Sequence, residues 1–237
     1  MLKNTLFLIA ACAISAGAGA GNVQFQVLDK EGRAVPDAVV VLYPATPGVP
    51  PAASKVTIGQ QRMRFLPLVT VVAPGSTLHF TNLDRWDHHI RGTSAAQGFA
   101  DASAGADFEM RLAGANPGTP GGEAEVTVQK PGAILLGCHL HGSMRGHVFV
   151  TDSAWTIKTD DDGIARFAAV PEGAAQLRVW HAEQLVELPR RSLQVGVAPV
   201  LDSVQPSTAW IFARLITLVS AYGVRTSTVS PVAGFSS

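Results

Sequence analysis

Cys138-x-x-His141-x-x-Met144 follows directly on the apolar run Ala133-Ile134-Leu135-Leu136-Gly137, and no other feature constrains this chain as much. A strand ending at Gly137 would deliver a thiol. The polar, glycine-containing loop from His139 to Ser143 would then turn the chain so that the residues three and six further on face the same point. Beyond Met144 the alternation Gly146-His147-Val148-Phe149-Val150 reads as a return strand.

A thiolate, an imidazole and a thioether on one tight loop form an unusual donor set. Soft sulfur favours Cu(I), imidazole serves both oxidation states, and a trigonal Cys plus two His with a weak axial Met lets copper cycle with little rearrangement. The second imidazole must come from elsewhere, and His88 and His89 are the candidates. They follow a predicted strand and turn over Val71 to Ser76, a second strand over Thr77 to Asn82, and a loop. Structural zinc would have little use for the thioether. A binuclear copper centre would need a second cysteine on the loop. A cysteine protease needs a His held apart from its Cys by the fold, together with a third orienting group. A buried or free thiol is the bland alternative. His139 is expected at the mouth of the site, where a partner would dock. His79 and His147 read as hydrogen-bonded strand residues, His181 lies in another part of the chain, and Met110 reads as packing.

Phe65-Leu66-Pro67, Gly75, Phe80-Thr81-Asn82 and His88, taken with Cys138, His141 and Met144, resemble the cupredoxin family of small blue copper proteins. Within it the pattern looks most like the secreted bacterial members known as methylamine utilization proteins, which pair a Gly-Cys-x-x-His-x-x-Met loop with a His-His pair. The likeness covers residues 55–151, a typical domain length. It implies an all-β cupredoxin Greek-key β-sandwich and one type 1 copper ion held by His88, Cys138, His141 and Met144. It also implies a one-electron carrier, not an enzyme, that works between periplasmic redox proteins as donor and acceptor. In plastocyanin- and amicyanin-like members the upstream ligand His is followed by Asn and an apolar residue. His88 therefore takes the ligand slot and His89 the Asn slot, a departure that leaves the neighbour's orienting role open. Strand alternation agrees that only one of the two can face a metal. The alternatives are a periplasmic copper-binding protein for handling or delivery, and a structural sandwich with a vestigial site.

The chain has 237 residues, 47% of them hydrophobic and 15% charged, with 18 basic and 18 acidic groups, which suits a soluble globular protein of one or two domains. It carries no basic excess for nucleic acid. Lys3, the apolar run Leu6 to Ala11 and the small residues Ala18-Gly19-Ala20 read as a signal peptide over residues 1–20. Its removal takes Cys12 away and leaves a single cysteine, so no internal disulfide is expected. Ile9-Ala10-Ala11-Cys12 also resembles a lipoprotein signal, but the stretch before Cys12 is short for one.

Segments 21–50 and 153–200 look like halves of one unit. Val23 to Val27 alternates as a strand, Asp29 to Gly32 turns, and Ala38 to Leu42 continues. Downstream, Thr159 to Gly163, Phe167, Pro171 to Gly173 and Leu177 to Trp180 repeat the pattern of turns and strands. Together they resemble the small β-sandwich of carboxypeptidase regulatory-like domains, which implies a second small β-sandwich built from the flanking segments, split by insertion of the copper domain or packed against it. Asp160 to Asp162 reads as a turn, since the further ligands of a calcium loop are missing. Phe99, Phe108, Met110 and Leu112 are expected to cap one edge of the copper-domain core. In the C-terminal tail, residues 201–237, Ile211, Leu215, Leu218 and Tyr222 share one face of a helix. The apolar stretch 209–224 falls short of the ~20 residues needed to span a bilayer. Docking of this helix on the protein is expected, and membrane contact through it or through a lipid anchor is not favoured. Residues 226–237 read as disordered.

Overall fold

The structure is a computed structural model that describes residues 19–94, 107–184 and 188–196, together with the backbone of two short strands at 203–204 and 211–214. The described residues are all-β and contain no helix. The chain opens with β1 (Ala20–Asp29) and β2 (Val39–Pro44). It then forms β3 (Lys55–Gln61), β4 (Arg64–Leu66), β5 (Val69–Val72), β6 (Ser76–Asn82), β7 (His88–Ser94), β8 (Phe108–Leu112), β9 (Glu123–Val128), β10 (Gly132–Cys138) and β11 (Arg145–Val150). It closes with β12 (Trp155–Lys158), β13 (Ile164–Pro171), β14 (Gly173–Trp180), β15 (Arg191–Val195), β16 (Ser203–Val204) and β17 (Ile211–Arg214).

Four sheets result. β3 to β11 fill two of them, in the orders β4-β3-β6-β9 and β5-β11-β10-β7-β8. The chain crosses repeatedly between these two, so that β3 pairs parallel with β6 and β5 parallel with β11 while their other neighbours run antiparallel. The remaining strands form β13-β1-β17-β16 and β12-β2-β14-β15. The two ends of the chain therefore pair with each other across the whole intervening segment.

Strand alternation explains the packing. In β6, Ser76, Leu78, Phe80 and Asn82 point inward and are buried, while Thr77, His79 and Thr81 are not. Leu78 and Phe80 join Ile58, Phe65, Ile90, Leu136 and Val148 in the inner core, each such side chain contributing about 1.5–3 kcal/mol when buried. An outer core lies between the other two sheets, where Phe25 meets Phe167 edge-on at 5.8 Å among Val40, Leu42, Leu177 and Val179. A third cluster joins the sandwiches: Val39 and Val41 pack with Val69, Ala133, Phe149 and Trp180. This seam accounts for the unbroken apolar run Val39 to Leu42. β2 is covered on both faces, with Val40 and Leu42 facing the outer core and Val39 and Val41 facing the seam.

The expected turns are present. Asp160 Oδ1 accepts the Asp162 and Ile164 N–H groups, and Gly163 takes φ +71° where its Cβ position would meet the Val27 carbonyl. One expectation changes. Ile211–Arg214 is strand β17, paired antiparallel with Gln26–Asp29 of β1, and not the start of a helix. With β13 on one side only, β1 would leave a row of backbone N–H and C=O groups unpaired, and their pairing with β17 wins over the helical period of the apolar residues. Leu215, Leu218, Tyr222, Phe99, residues 1–18 and residues 226–237 lie outside the described residues. No helix among the described residues is long and apolar enough to cross a membrane.

Candidate metal centre

The antiparallel pairing of β7 with β10 sets Ile90 opposite Cys138, which brings the start of β7 to the thiol end of β10. The loop after Cys138 is drawn in by two successive turns: His141 N–H donates to the Cys138 carbonyl at 3.3 Å, and Met144 N–H to the His141 carbonyl at 2.9 Å. β11 then leaves past Phe65, whose Cβ would stand 2.7 Å from a Cβ on Gly146. Glycine is needed there for the strand to approach so closely.

His88, Cys138 and His141 consequently converge. Cys138 Sγ lies 3.6 Å from His88 Nδ1 and 3.5 Å from His141 Nδ1, and the two Nδ1 atoms are 3.1 Å apart. These three are the only group of His, Cys, Asp or Glu side chains among the described residues whose ligand atoms gather this closely. His88 is fully buried, Cys138 is 4% exposed and Met144 1%, whereas His141 is half-buried. Met144 belongs to the same apolar cluster as Cys138.

The donor set fits a soft or borderline metal ion. With bond lengths of about 2.0–2.1 Å to imidazole and about 2.3 Å to thiolate, donors at tetrahedral to trigonal angles stand roughly 3.3–3.8 Å apart. The two sulfur–nitrogen spacings of 3.5 and 3.6 Å fall within that range, and the nitrogen–nitrogen spacing of 3.1 Å is slightly shorter. Two imidazole nitrogens and a sulfur aimed at one another have few protons to share, and a cation between them resolves the crowding. Thiolate, two imidazoles and a nearby thioether are donors that copper takes in a trigonal site with a weak axial contact.

His89 points elsewhere. Its ring stacks on that of His139 at 4.9 Å, and both approach Glu109, at 3.6 and 3.7 Å. Its backbone serves the centre instead: His89 N–H donates to Cys138 Sγ at 3.4 Å, and His139 N–H donates to the His89 carbonyl at 2.9 Å. The remaining histidines stay clear of the cluster. His79 contacts Glu123 across the sheet, and His147 packs edge-on to Trp180. Phe108 and Met110 pack against the inner core and Leu112 is within it.

Asp84 was not singled out by sequence reasoning, although it lies four residues before His88. Its carboxylate receives the N–H groups of Arg62 at 2.6 Å and Met63 at 2.9 Å, and His88 Nε2 lies 3.1 Å away. Burial pushes the Asp84 carboxyl up, but these hydrogen bonds outweigh it and hold the group below its ordinary value. Burial also depresses His88, against the pull of Asp84 and with the help of repulsion from His141. Asn82 completes the support: its Nδ2 donates to the carbonyls of Trp86 and Ala113 at 2.9 Å each, and its Oδ1 receives the Asp84 N–H. The Asn-x-Asp-x-x-x-His spacing is the signal that could have exposed this support.

No protein-family model matches the chain, and no curated protein matches it. Solved structures do. Amicyanin from Paracoccus versutus is similar at 20% identity over 47% of this chain and 97% of its own, with a TM-score of 0.32. A pseudoazurin from Sinorhizobium meliloti is similar at 24% identity over 43% of this chain and 76% of its own, with a TM-score of 0.31. A copper-containing nitrite reductase from Thermus scotoductus is similar at 19% identity over 46% of this chain and 24% of its own, with a TM-score of 0.32.

Proposed function

We propose that residues 55–151 are a cupredoxin domain whose single type 1 copper ion, held by His88, Cys138, His141 and axial Met144, passes one electron at a time between periplasmic redox proteins, and that the chain is not itself an enzyme. The observation that carries this reading is the convergence of one sulfur and two Nδ1 atoms within 3.1–3.6 Å at the buried end of the inner core, beside Met144. Copper, when bound, supplies the one-electron chemistry. The chain's part is to hold its donors still.

That rigidity has identifiable sources. Cys138 ends a strand paired on both sides, and its sulfur receives the His89 N–H, which limits its movement. His88 is fully buried and tied to Asp84. A donor set that cannot relax suits both oxidation states about equally, which is what rapid exchange needs. His141 is half-buried, and the loop that carries it bears the exposed Leu140 beside it, so the donor nearest solvent is the natural point of entry for an electron.

We further read 21–50 and 153–200 as one small β-sandwich interrupted by the copper domain, and residues 1–20 as the signal that exports the chain. The first reading is supported by the pairing of β1 and β2, among the described strands, with β12 to β14 and β17 and with no strand of the copper domain.

The test is to express the chain from Gly21, add Cu(II), and record the visible absorption and electron paramagnetic resonance spectra, with Cys138→Ser beside it. An intense blue band with narrow copper hyperfine splitting, lost in the variant, is the expected result. A pale, ordinary copper spectrum, or metal that a chelator strips between redox cycles, would replace the electron carrier with a copper-handling protein.

A further inference from the structure

We propose that Asp84 is the positioning residue of this centre: it accepts the hydrogen bond from His88 Nε2–H, fixes the tautomer that leaves Nδ1 as donor, and favours the oxidised metal through its buried negative charge. The inference rests on the copper reading and concerns a residue that lies outside the ligand set.

The geometry leaves Asp84 no freedom. It is 7% exposed, and five contacts hold it: its carboxylate accepts the Arg62 and Met63 N–H groups and faces His88 Nε2, its own N–H donates to Asn82 Oδ1, and its carbonyl accepts the Ala115 N–H at 2.7 Å. A carboxylate with two backbone donors already in place is an obligate acceptor toward the third group, so the hydrogen on His88 must sit on Nε2. Nδ1 then carries a lone pair, and it is the atom that lies 3.6 Å from Cys138 Sγ and 3.1 Å from His141 Nδ1. A carboxylate on the far nitrogen of a metal-binding imidazole fixes the ring and raises its basicity.

The charge acts as well. Among the described residues, His88 is the sole side chain that contacts the Asp84 carboxylate, so no lysine or arginine pairs with the buried anion. A negative charge near a metal stabilises the state of higher positive charge, and burial weakens the screening. Asp84 therefore lowers the reduction potential.

Asp84 also clasps a strained turn, and the experiment has to separate that task from the first. The β3–β4 hairpin turns through Arg62 and Met63 at φ +53° and +56°, the left-handed region that Asn-Gly fills most readily. Arg62→Asn with Met63→Gly gives the hairpin a turn that holds without the clasp. Asp84→Asn in that background keeps the size of the side chain and removes the charge. Cyclic voltammetry of the copper-loaded protein is expected to show an upward shift for Asp84→Asn in both backgrounds. An about tenfold loss of preference for Cu(II) over Cu(I) corresponds to about 59 mV. In the metal-free parent, nitrogen-15 NMR is expected to show His88 as the Nε2–H tautomer, with that proton slow to exchange. An unchanged potential in the double-variant background, or an Nδ1–H tautomer in the metal-free protein, would overturn the proposal and leave Asp84 as a hairpin clasp only. If the parent binds no copper, the proposed function fails by itself, while the tautomer still decides whether Asp84 positions His88.

Discussion

The outer and inner sandwiches are built by the same alternation of strand residues, but their cores end differently. Val23, Phe25, Val27, Leu42, Phe167 and Leu177 fill the outer core, and the buried hydroxyls of Thr159 and Ser153 sit at loops where they bond the backbone. The inner core begins in the same way, with Ile58, Phe65, Leu78, Phe80 and Leu136, and then accepts Cys138, His88, Asn82 and Asp84 at one end. Burying polar groups costs free energy unless they are hydrogen-bonded. Asn82 and Asp84 are bonded several times over, whereas the Nδ1 atoms of His88 and His141 face only one another and the Cys138 sulfur. Three such donor atoms converging on one point, beside Met144, are what a bound metal ion would satisfy.

Matched truncations break the comparison most directly. Leu177 in the outer core and Leu136 in the inner core are each at most 2% exposed, and Leu→Ala at either is expected to destabilise by about 2–5 kcal/mol. Chemical denaturation of the metal-free protein checks the size of both effects. The spectra separate them: Leu136 lies two residues before Cys138 on β10, so Leu136→Ala should shift the copper absorption, while Leu177→Ala should leave it unchanged. A shift from Leu177→Ala would mean that the seam transmits strain to the centre and that the two cores are not separate.

Much of this was legible in the sequence because strand alternation and turn chemistry are local. Val23 to Val27, Ala38 to Leu42, Thr77 to Asn82 and the run ending at Cys138 all read as strands, and all lie in strands or at their ends. The donor loop was legible for the same reason, since three ligand types at fixed spacing need no distant information. What depends on pairing was harder to see. Nothing local distinguishes His88 from His89 until β7 pairs with β10, and nothing marks Asp84 until the Arg62–Met63 turn folds over it. Ile211 opens the helical spacing that continues at Leu215, Leu218 and Tyr222, yet Ile211–Arg214 has its partner almost two hundred residues upstream, in β1.

The seam between the sandwiches offers a test by pH. His147 sits there against Trp180, and burial, followed by repulsion from His181 and Arg145, lowers it to about 4. Burial also lowers His181. The unfolded chain protonates His147 near its ordinary value of 6.5, so between that pH and about 4 the unfolded state takes up a proton that the folded state refuses. Stability should fall as pH drops through this window and level off below it. His147→Phe, which keeps an aromatic ring against Trp180, should make the fall shallower. Denaturation midpoints of the metal-free parent and variant at pH 7, 5.5 and 4 measure the difference, and parallel curves would show that the seam does not hold His147 neutral.

The smallest effect sharpens the comparison furthest, because the two sandwiches use the same device. Asp160 in the outer unit, like Asp84 in the inner one, accepts two backbone N–H groups, from Asp162 at 3.1 Å and Ile164 at 2.8 Å. Asp160 is exposed and also pairs with Arg166 at 2.9 Å. Water screens that pair, so Arg166→Ala should change stability by less than about 1 kcal/mol. Asp160→Ala removes the turn contacts as well and should cost about 1 kcal/mol or somewhat more, in the range of a lost side-chain cap. Thermal melts of both variants check the order. A larger loss from Arg166→Ala than from Asp160→Ala would make the ion pair the important contact. The expected order locates the value of each carboxylate in the backbone it gathers. At Asp160 the remaining oxygen meets only an exposed arginine, whereas at Asp84 the third acceptor position has been given to a buried imidazole.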